Sequence, residues 1–130
     1  MSPRRALVMF SGSADAWWLC LLRRGFRHCF LAIEDGPCWL ILDPLSHRTE
    51  LAAVAAEPGR DLAAAYRGAG LTVVETVTRT APRRLAPIRP YSCVEAVKRT
   101  LGIHAGGVLT PWQLYKFLMD RKNCVDTFRR

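Results

Sequence analysis

Two apolar segments that flank a short turn are the feature that most limits how this chain can fold. Residues 28–33 and 38–43 are dominated by aliphatic, aromatic and cysteine side chains, which is typical of buried β-strands. Residues 34–37, with the sequence Glu-Asp-Gly-Pro, join the two segments, and glycine and proline together mark a turn. Pro44 follows the second segment and ends it. The sequence therefore predicts a β-hairpin over residues 28–43.

The predicted hairpin brings together two polar side chains, His28 and Asp43. A four-residue turn at residues 34–37 places them directly opposite each other, and opposed residues point to the same face with Cβ atoms about 4.5–5.5 Å apart. A carboxylate beside an imidazole orients the ring and raises its basicity. A register that differs by one residue would turn the two side chains to opposite faces. In that case His47, in the following loop, could replace Asp43 as the orienting residue.

A helix start at Ser92 places a thiol in a reactive position. Ser92 and Glu95 have the spacing of a capping box, the residues after them have helical periodicity, and Gly102 predicts the end of the helix. Cys93 would lie in the first turn, where unpaired backbone N–H groups and the helix dipole lower the pKa of a thiol. Cys93 is therefore the candidate nucleophile.

The order of the predicted elements indicates a single domain of the α+β class. The chain has 130 residues, half of them hydrophobic, which is enough for one core. We expect an antiparallel sheet with helices packed on one side. Strands are predicted at 5–10, 28–43 (the hairpin), 49–55 and 71–79, helices at 61–67, 93–101 and 111–119, a helix or turn at 14–23, an extended connector at 81–90, and a basic C-terminal tail from about 120.

The cysteines favour neither a metal site nor a disulfide framework. Their number, five, is odd, and no C-x-x-C pair or zinc-finger histidine accompanies them. Cys20, Cys29 and Cys38 lie in apolar runs, and we expect them in the core. This usage fits a reducing compartment, so we expect no metal, no cofactor and synthesis in the cytoplasm.

The net charge of +8 indicates attraction to anionic surfaces. The basic pairs are scattered along the chain and no helix-turn-helix, RRM or KH signature is present, so we expect no sequence-specific nucleic-acid binding. An arginine- and alanine-rich genome would explain the charge equally well. No apolar run reaches the roughly 18 residues of a membrane span. The N-terminal apolar run is short, and we expect no signal peptide.

Cysteine, histidine and a third polar group are the parts of a thiol hydrolase, and the segments around them resemble a known family. Residues 24–33 resemble the glycine-aromatic-x-His strand of circularly permuted NlpC-type papain-like proteins, which include the relatives of lecithin retinol acyltransferase. Residues 91–97 resemble the family's cysteine helix, and residues 109–114 resemble the start of the helix that often follows. Residues 5–12 occupy the place of its first strand and glycine loop. Cys29 stands where the family more often has a small or β-branched residue.

The resemblance implies a permuted papain-like fold, with Cys93 as the nucleophile and His28 as the base. Asp43 is assigned as the third residue by its strand position. The Tyr91 hydroxyl could join the backbone N–H of Cys93 in stabilising an oxyanion. The implied substrates are a cell-wall peptidoglycan peptide, another amide or a lipid ester.

Two functional hypotheses follow. In the first, the protein is a cysteine peptidase or amidase directed at peptidoglycan, which without a signal peptide would need another route to the wall. Carriage in the tail of a bacteriophage or phage-like particle would provide that route and make the protein virion-associated. In the second, it is a non-catalytic structural or adaptor protein of such a particle that keeps the papain-like fold and contacts partner subunits. The distance from the Cys93 sulfur to the His28 ring distinguishes the two hypotheses, because hydrogen-bond reach supports the enzyme.

Overall fold

Five antiparallel strands form one sheet, in the order β4-β3-β2-β1-β5. The computed structural model describes residues 3–12, 25–45, 47–57, 59–79 and 92–128, with side chains up to residue 120. The elements are β1 (Arg5–Ser11), β2 (His28–Asp35), β3 (Cys38–Pro44), β4 (Thr49–Ala55), α1 (Leu62–Gly68), β5 (Thr72–Val77), α2 (Cys93–Leu101) and α3 (Pro111–Phe128). The α+β class is thus confirmed. The predicted helix or turn at 14–23 and the connector at 81–90 lie outside the described residues.

The central strand β1 is buried on both faces, and this decides where the helices pack. Ala6, Val8 and Phe10 face a core built with α2 and α3, whereas Leu7 and Met9 face a smaller core built with α1. The prediction that the helices lie on one side of the sheet is therefore wrong. A strand that is apolar at every position from 6 to 10 exposes hydrophobic surface on both faces unless both are covered.

The hairpin between β2 and β3 forms as predicted, but its register differs by two residues. The turn has two residues, Gly36 and Pro37, with Gly36 at φ +58°, and glycine at the first position suits a type II′ turn. Leu31 consequently pairs with Leu42 and not with Leu40. Because side chains alternate with a period of two, a two-residue offset leaves every side chain on its predicted face.

The two C-terminal helices begin at the predicted caps. Ser92 Oγ accepts the backbone N–H of Glu95 at 3.3 Å, and Gly102 ends α2 in the left-handed region, with φ +79°. Thr110 and Gln113 form a complete capping box at the start of α3. This helix continues to Phe128, so the segment from 120 that was predicted as a tail is helical. Within the described residues, no helix has the length and apolar character needed to cross a bilayer.

A buried lysine connects α2 to the loop that leads to α3. Lys98 is 2% exposed and lies 3.0 Å from the Glu95 carboxylate. Its ammonium also donates to the backbone carbonyls of Ala105 and Val108, both at 2.8 Å. These bonds use all three donors of the ammonium group, and they fix the loop against the helix that carries Cys93.

Candidate active site

His28 and Asp43 are hydrogen-bonded at the open end of the hairpin. His28 Nε2 lies 2.6 Å from Asp43 Oδ1, and the His28 side chain is buried while that of Asp43 is partly exposed. In the observed register Asp43 lies diagonally across from His28, one pair beyond Leu42. Diagonal neighbours on one face are within reach of long side chains. The structure therefore brings together the two side chains that the hairpin was predicted to pair, by a diagonal contact instead of a direct one.

Cys93 is the first residue of α2, and its sulfur contacts the start of β2. Its side chain packs against the core cluster that contains Cys29, and the pKa of its thiol responds to hydrogen bonding with Cys29 and with the ring of His28. Because Nε2 of His28 is occupied by Asp43, Nδ1 is the ring nitrogen that remains for the thiol. These contacts lie beyond the Leu31–Leu42 pair, at which the β2–β3 ladder ends. The end of the ladder leaves strand backbone open to the incoming helix.

The three side chains hold charges that stabilise one another. Hydrogen bonds from Cys29 and His28 lower the pKa of Cys93 from 9.0 to about 5, although burial acts in the opposite direction. Burial by itself would lower the pKa of His28, but its bonds to Cys93 and Asp43 raise that pKa from 6.5 to about 9. Between these two values Cys93 is a thiolate and His28 is an imidazolium. The thiolate is the nucleophilic form of cysteine.

Three neighbours of the site were not predicted to belong to it. Cys29 was expected only in the core, where it is indeed fully buried. Phe30 stacks on the His28 ring with centroids 6.3 Å apart, and Tyr66 of α1 meets Phe30 edge-on at 5.5 Å. The charge of Asp43 contributes to a raised pKa of Tyr66, after the larger effect of burial. Side chains alternate along β2, so Phe30 lies on the same face as His28. No sequence pattern, however, indicated that Tyr66 of α1 would lie near the site.

An aromatic group ties α3 to the same end of the sheet. Phe26, two residues before His28, contacts both Trp112 and Tyr115, with ring centroids 4.8 and 5.0 Å away. Phe10 of β1 extends the group, with its ring 5.5 Å from Phe26. These contacts fix the chain that enters β2, and with it the position of His28.

The remaining candidate residues are placed as follows. Tyr91, the proposed oxyanion donor, lies outside the described residues. His47, the alternative orienting residue, is exposed in the β3–β4 connection. Asp43 is the residue that contacts the His28 ring. In the part of the chain that the structure describes, no group of three or more His, Cys, Asp or Glu side chains is arranged to hold a metal ion. The site is thus described by the Cys93–His28–Asp43 series and the residues that surround it.

Comparison with known proteins does not extend this description. No family model matches the chain, and neither the curated proteins nor the solved structures contain a significant match to it.

Proposed function

We propose that this protein is a thiol hydrolase that cleaves an amide or ester bond through a thioester on Cys93. The observation that carries the proposal is the hydrogen bond between His28 and Asp43 at 2.6 Å, next to a Cys93 thiol at the start of α2 whose pKa His28 helps to lower. A nucleophile, a proton carrier and an orienting group within reach of one another are what this chemistry requires. A purely structural protein does not need a thiolate held beside an imidazolium, so the same observation disfavours the non-catalytic alternative.

The charge state of the site defines the order of proton transfers. The Cys93 thiolate attacks the carbonyl carbon directly, a C–S bond forms, and the carbonyl electron pair moves to oxygen. The backbone N–H of Cys93, at the positive end of α2, is the proposed donor to this oxyanion, with Tyr91 as a second donor. His28, already protonated, then gives its proton to the leaving nitrogen or oxygen as that bond breaks.

The second half of the reaction restores the enzyme. Water attacks the thioester while His28 takes one of its protons, and the C–S bond breaks to release the carboxylic acid and the Cys93 thiolate. Asp43 keeps the His28 ring oriented in both halves through its bond to Nε2. His28 therefore acts first as an acid and then as a base.

The proposed substrate class rests on the resemblance to the permuted NlpC-type papain-like proteins. We propose a peptidoglycan peptide bond as the first substrate to test, followed by other amides and lipid esters. Carriage by a phage-like particle remains part of this proposal. The five-stranded sheet, in which the His-bearing strand precedes the Cys-bearing helix along the chain, supports the proposed permuted arrangement.

Selective labelling tests the nucleophile without a substrate. Iodoacetamide at about pH 6, followed by peptide mapping, should modify Cys93 well before the other thiols, since only a thiol with a strongly lowered pKa is ionised there. Cys38 is the internal control, because it is partly exposed like Cys93 but lies on β3. Equal labelling of Cys93 and Cys38, or of Cys93 and Cys124, would contradict the proposal.

Hydrolysis of a panel of peptidoglycan peptides, amides and esters tests the reaction. Cys93→Ser and His28→Ala should abolish turnover, whereas Cys38→Ser should leave it unchanged. Cys93→Ser should leave the protein folded, because a small polar side chain is retained at the start of α2. Turnover that survives in Cys93→Ser would place the nucleophile elsewhere, and unfolding of that variant would make Cys93 a packing residue.

A further inference from the structure

The His28 ring has an aromatic neighbour as well as its polar partners. Phe30 lies two residues further along β2, on the same face, and the two rings are stacked with centroids 6.3 Å apart and planes 24° apart. This separation is within the range of offset-stacked aromatic pairs. Phe30 itself packs against the core that is built with α1. One side of the imidazole therefore faces a ring that the core holds in place.

Tyr66 of α1 fixes the orientation of Phe30 in turn. It meets the Phe30 ring edge-on, with centroids 5.5 Å apart and planes 74° apart, which is a preferred arrangement of aromatic pairs. Tyr66 packs against the same core as Phe30, and α1 is capped at its start by the Asp61 side chain, which accepts the backbone N–H of Ala64. The series His28–Phe30–Tyr66 thus connects the proposed proton carrier to a helix that carries none of the three catalytic candidates.

A hydrogen bond and a stacked ring restrict the imidazole in different ways. The torsion angle that turns a histidine ring about its Cβ–Cγ bond is broad and roughly two-fold, so the neighbours of the ring must fix its plane. The hydrogen bond from Nε2 to Asp43 at 2.6 Å opposes a half-turn of His28, which would put a ring carbon in place of the nitrogen. A ring stacked on the imidazole opposes the smaller swings out of that plane.

We propose that Phe30 is a positioning residue, whose ring, backed by Tyr66, holds the plane of the His28 ring so that Nε2 stays on Asp43 and Nδ1 faces Cys93. The proposal deepens the proposed function, and it rests on that function only in naming His28 as the proton carrier. Phe30 has no polar atom, so it takes no part in the proton transfers and acts through His28.

The stacked ring also favours the charged form of His28. The face of an aromatic ring attracts a cation at about 6 Å, and His28 is an imidazolium across neutral pH. In the part of the chain that the structure describes, Cys93 of α2 and Asp43 of β3 are the titratable groups that raise its pKa. Ser11, its partner in β1, does not titrate in this range. Tyr66 of α1, whose pKa is raised from 10.0, is uncharged there.

The test is the NMR titration of the His28 ring in variants at position 30. Phe30→Leu keeps an apolar side chain but removes the aromatic face, so the midpoint should fall from about 9 by about half a unit. The order parameter of the ring Cδ2–H bond should fall as well. Phe30→Tyr keeps the aromatic face and should match the native protein. Ile41→Val is the matched control and should change neither quantity, because Ile41 lies two residues from Asp43 on the same face and packs against the same core as Phe30.

The outcomes separate this proposal from the proposed function. A folded Phe30→Leu variant with the native midpoint and order parameter would overturn the positioning role, even if hydrolysis is observed. Equal changes in Phe30→Leu and Ile41→Val would also overturn it, because loss of packing alone would then explain them. The expected changes in a protein that hydrolyses nothing on the panel would support the positioning role and contradict the hydrolase.

Two further measurements cover the case in which Phe30→Leu does not fold. Tyr66→Leu removes the edge that orients Phe30 and should lower the order parameter of the His28 ring, whereas Tyr66→Phe keeps the aromatic ring and should not. In the native protein, the ring protons of His28 and Phe30 should show a nuclear Overhauser effect. Absence of that effect, or equal order parameters in the two Tyr66 variants, would overturn the proposal.

Discussion

His28 lies between two acidic groups, and this position decides how the site is charged. Cys93 contacts the ring on one side, while Asp43 binds Nε2 on the other at 2.6 Å. Burial opposes a charged ring, but the two partners outweigh it and raise its pKa to about 9. Across neutral pH the three side chains therefore carry one positive and two negative charges. The net negative charge is partly in contact with solvent, since the Asp43 side chain is partly exposed.

Replacing Asp43 by asparagine should lower the pH at which His28 loses its proton. The carboxylate is one of the groups that raise the pKa of His28, and an opposite charge at hydrogen-bond distance is worth about 1–3 pKa units. We expect Asp43→Asn to move the NMR titration midpoint of the His28 ring down from about 9 by about one unit or more. Glu50→Gln, which neutralises the exposed carboxylate paired with Asp43 across β3 and β4, should leave the midpoint in place. Equal shifts in both variants would contradict a specific role of Asp43.

The residue types of the site could be predicted from the sequence, but one of its contacts could not. His28 and Asp43 share a face in both the expected and the observed register, since two residues separate the registers. Cys93 is identified by the cap at Ser92. Cys29 is different, because a cysteine inside an apolar run is normally a core residue. Its influence on the pKa of Cys93 was not predictable, because no sequence pattern marks the end of the β2–β3 ladder at Leu31 and Leu42.

The helix α2 is held in place both at its first turn and along its buried side. Ser92 caps the first turn, and the Lys98 ammonium joins Glu95 to two loop carbonyls in the interior. Glu95 also pairs with Arg99, whose side chain is half exposed. Lys98 and Arg99 thus bind the same carboxylate, but Lys98 is buried and Arg99 is half exposed. Replacing each in turn compares a buried ion pair with an exposed one.

Lys98→Met should destabilise the protein far more than Arg99→Ala. The lysine variant leaves a buried carboxylate without its main partner and two loop carbonyls without a donor, a change that costs about 3–5 kcal/mol. An exposed ion pair contributes about 1 kcal/mol or less, so Arg99→Ala should have a small effect. Chemical denaturation gives both values. Similar losses would show that the buried pair is not a main contributor to stability.

Chemical denaturation should also show how much the Ser92 cap contributes to the free energy of unfolding. Ser92→Ala removes the oxygen that accepts the Glu95 N–H, and loss of a cap of this kind costs about 0.5–2 kcal/mol. Ser92→Thr keeps the hydroxyl and should recover most of the free energy of unfolding. If alanine and threonine have equal effects, the hydroxyl does not cap α2.

The elements themselves follow well from the sequence where local signals are strong. Caps and glycine stops predicted both ends of α2, and β4 has the predicted bounds. The hairpin register was wrong because residues 34–37 are compatible with a four-residue turn as well as with the observed two-residue turn. The length of α3 was underestimated because a polar, basic segment is typical of a tail, whereas here it continues a helix.

The two faces and edges of the sheet are covered unevenly. β1 is buried on both faces, whereas all seven residues of β4, at the opposite side from β5, are exposed. Leu51 is 77% exposed there. An open edge strand with apolar side chains is a site of association between copies, which the net charge of +8 opposes by repulsion.

Self-association should therefore increase with salt, which screens that repulsion. Leu51→Lys adds a charge to the open edge and should reduce the salt-dependent association measured by light scattering. The free energy of unfolding should change by no more than about 0.5 kcal/mol, as for other surface positions. Leu109→Lys adds the same charge at an exposed leucine outside the sheet and should have a smaller effect. Equal effects would mean that total charge, and not the β4 edge, governs association.

The order of the elements along the chain has a consequence for folding. All five strands precede residue 93, so the sheet and its His28–Asp43 pair can form before the cysteine is in place. The lowered pKa of Cys93, however, depends on contacts with β2, and an isolated α2 has none of them. Cys93 should therefore become reactive in mildly acidic solution only when α2 docks on the sheet. Pulse labelling of Cys93 at successive times of refolding would measure when that docking occurs.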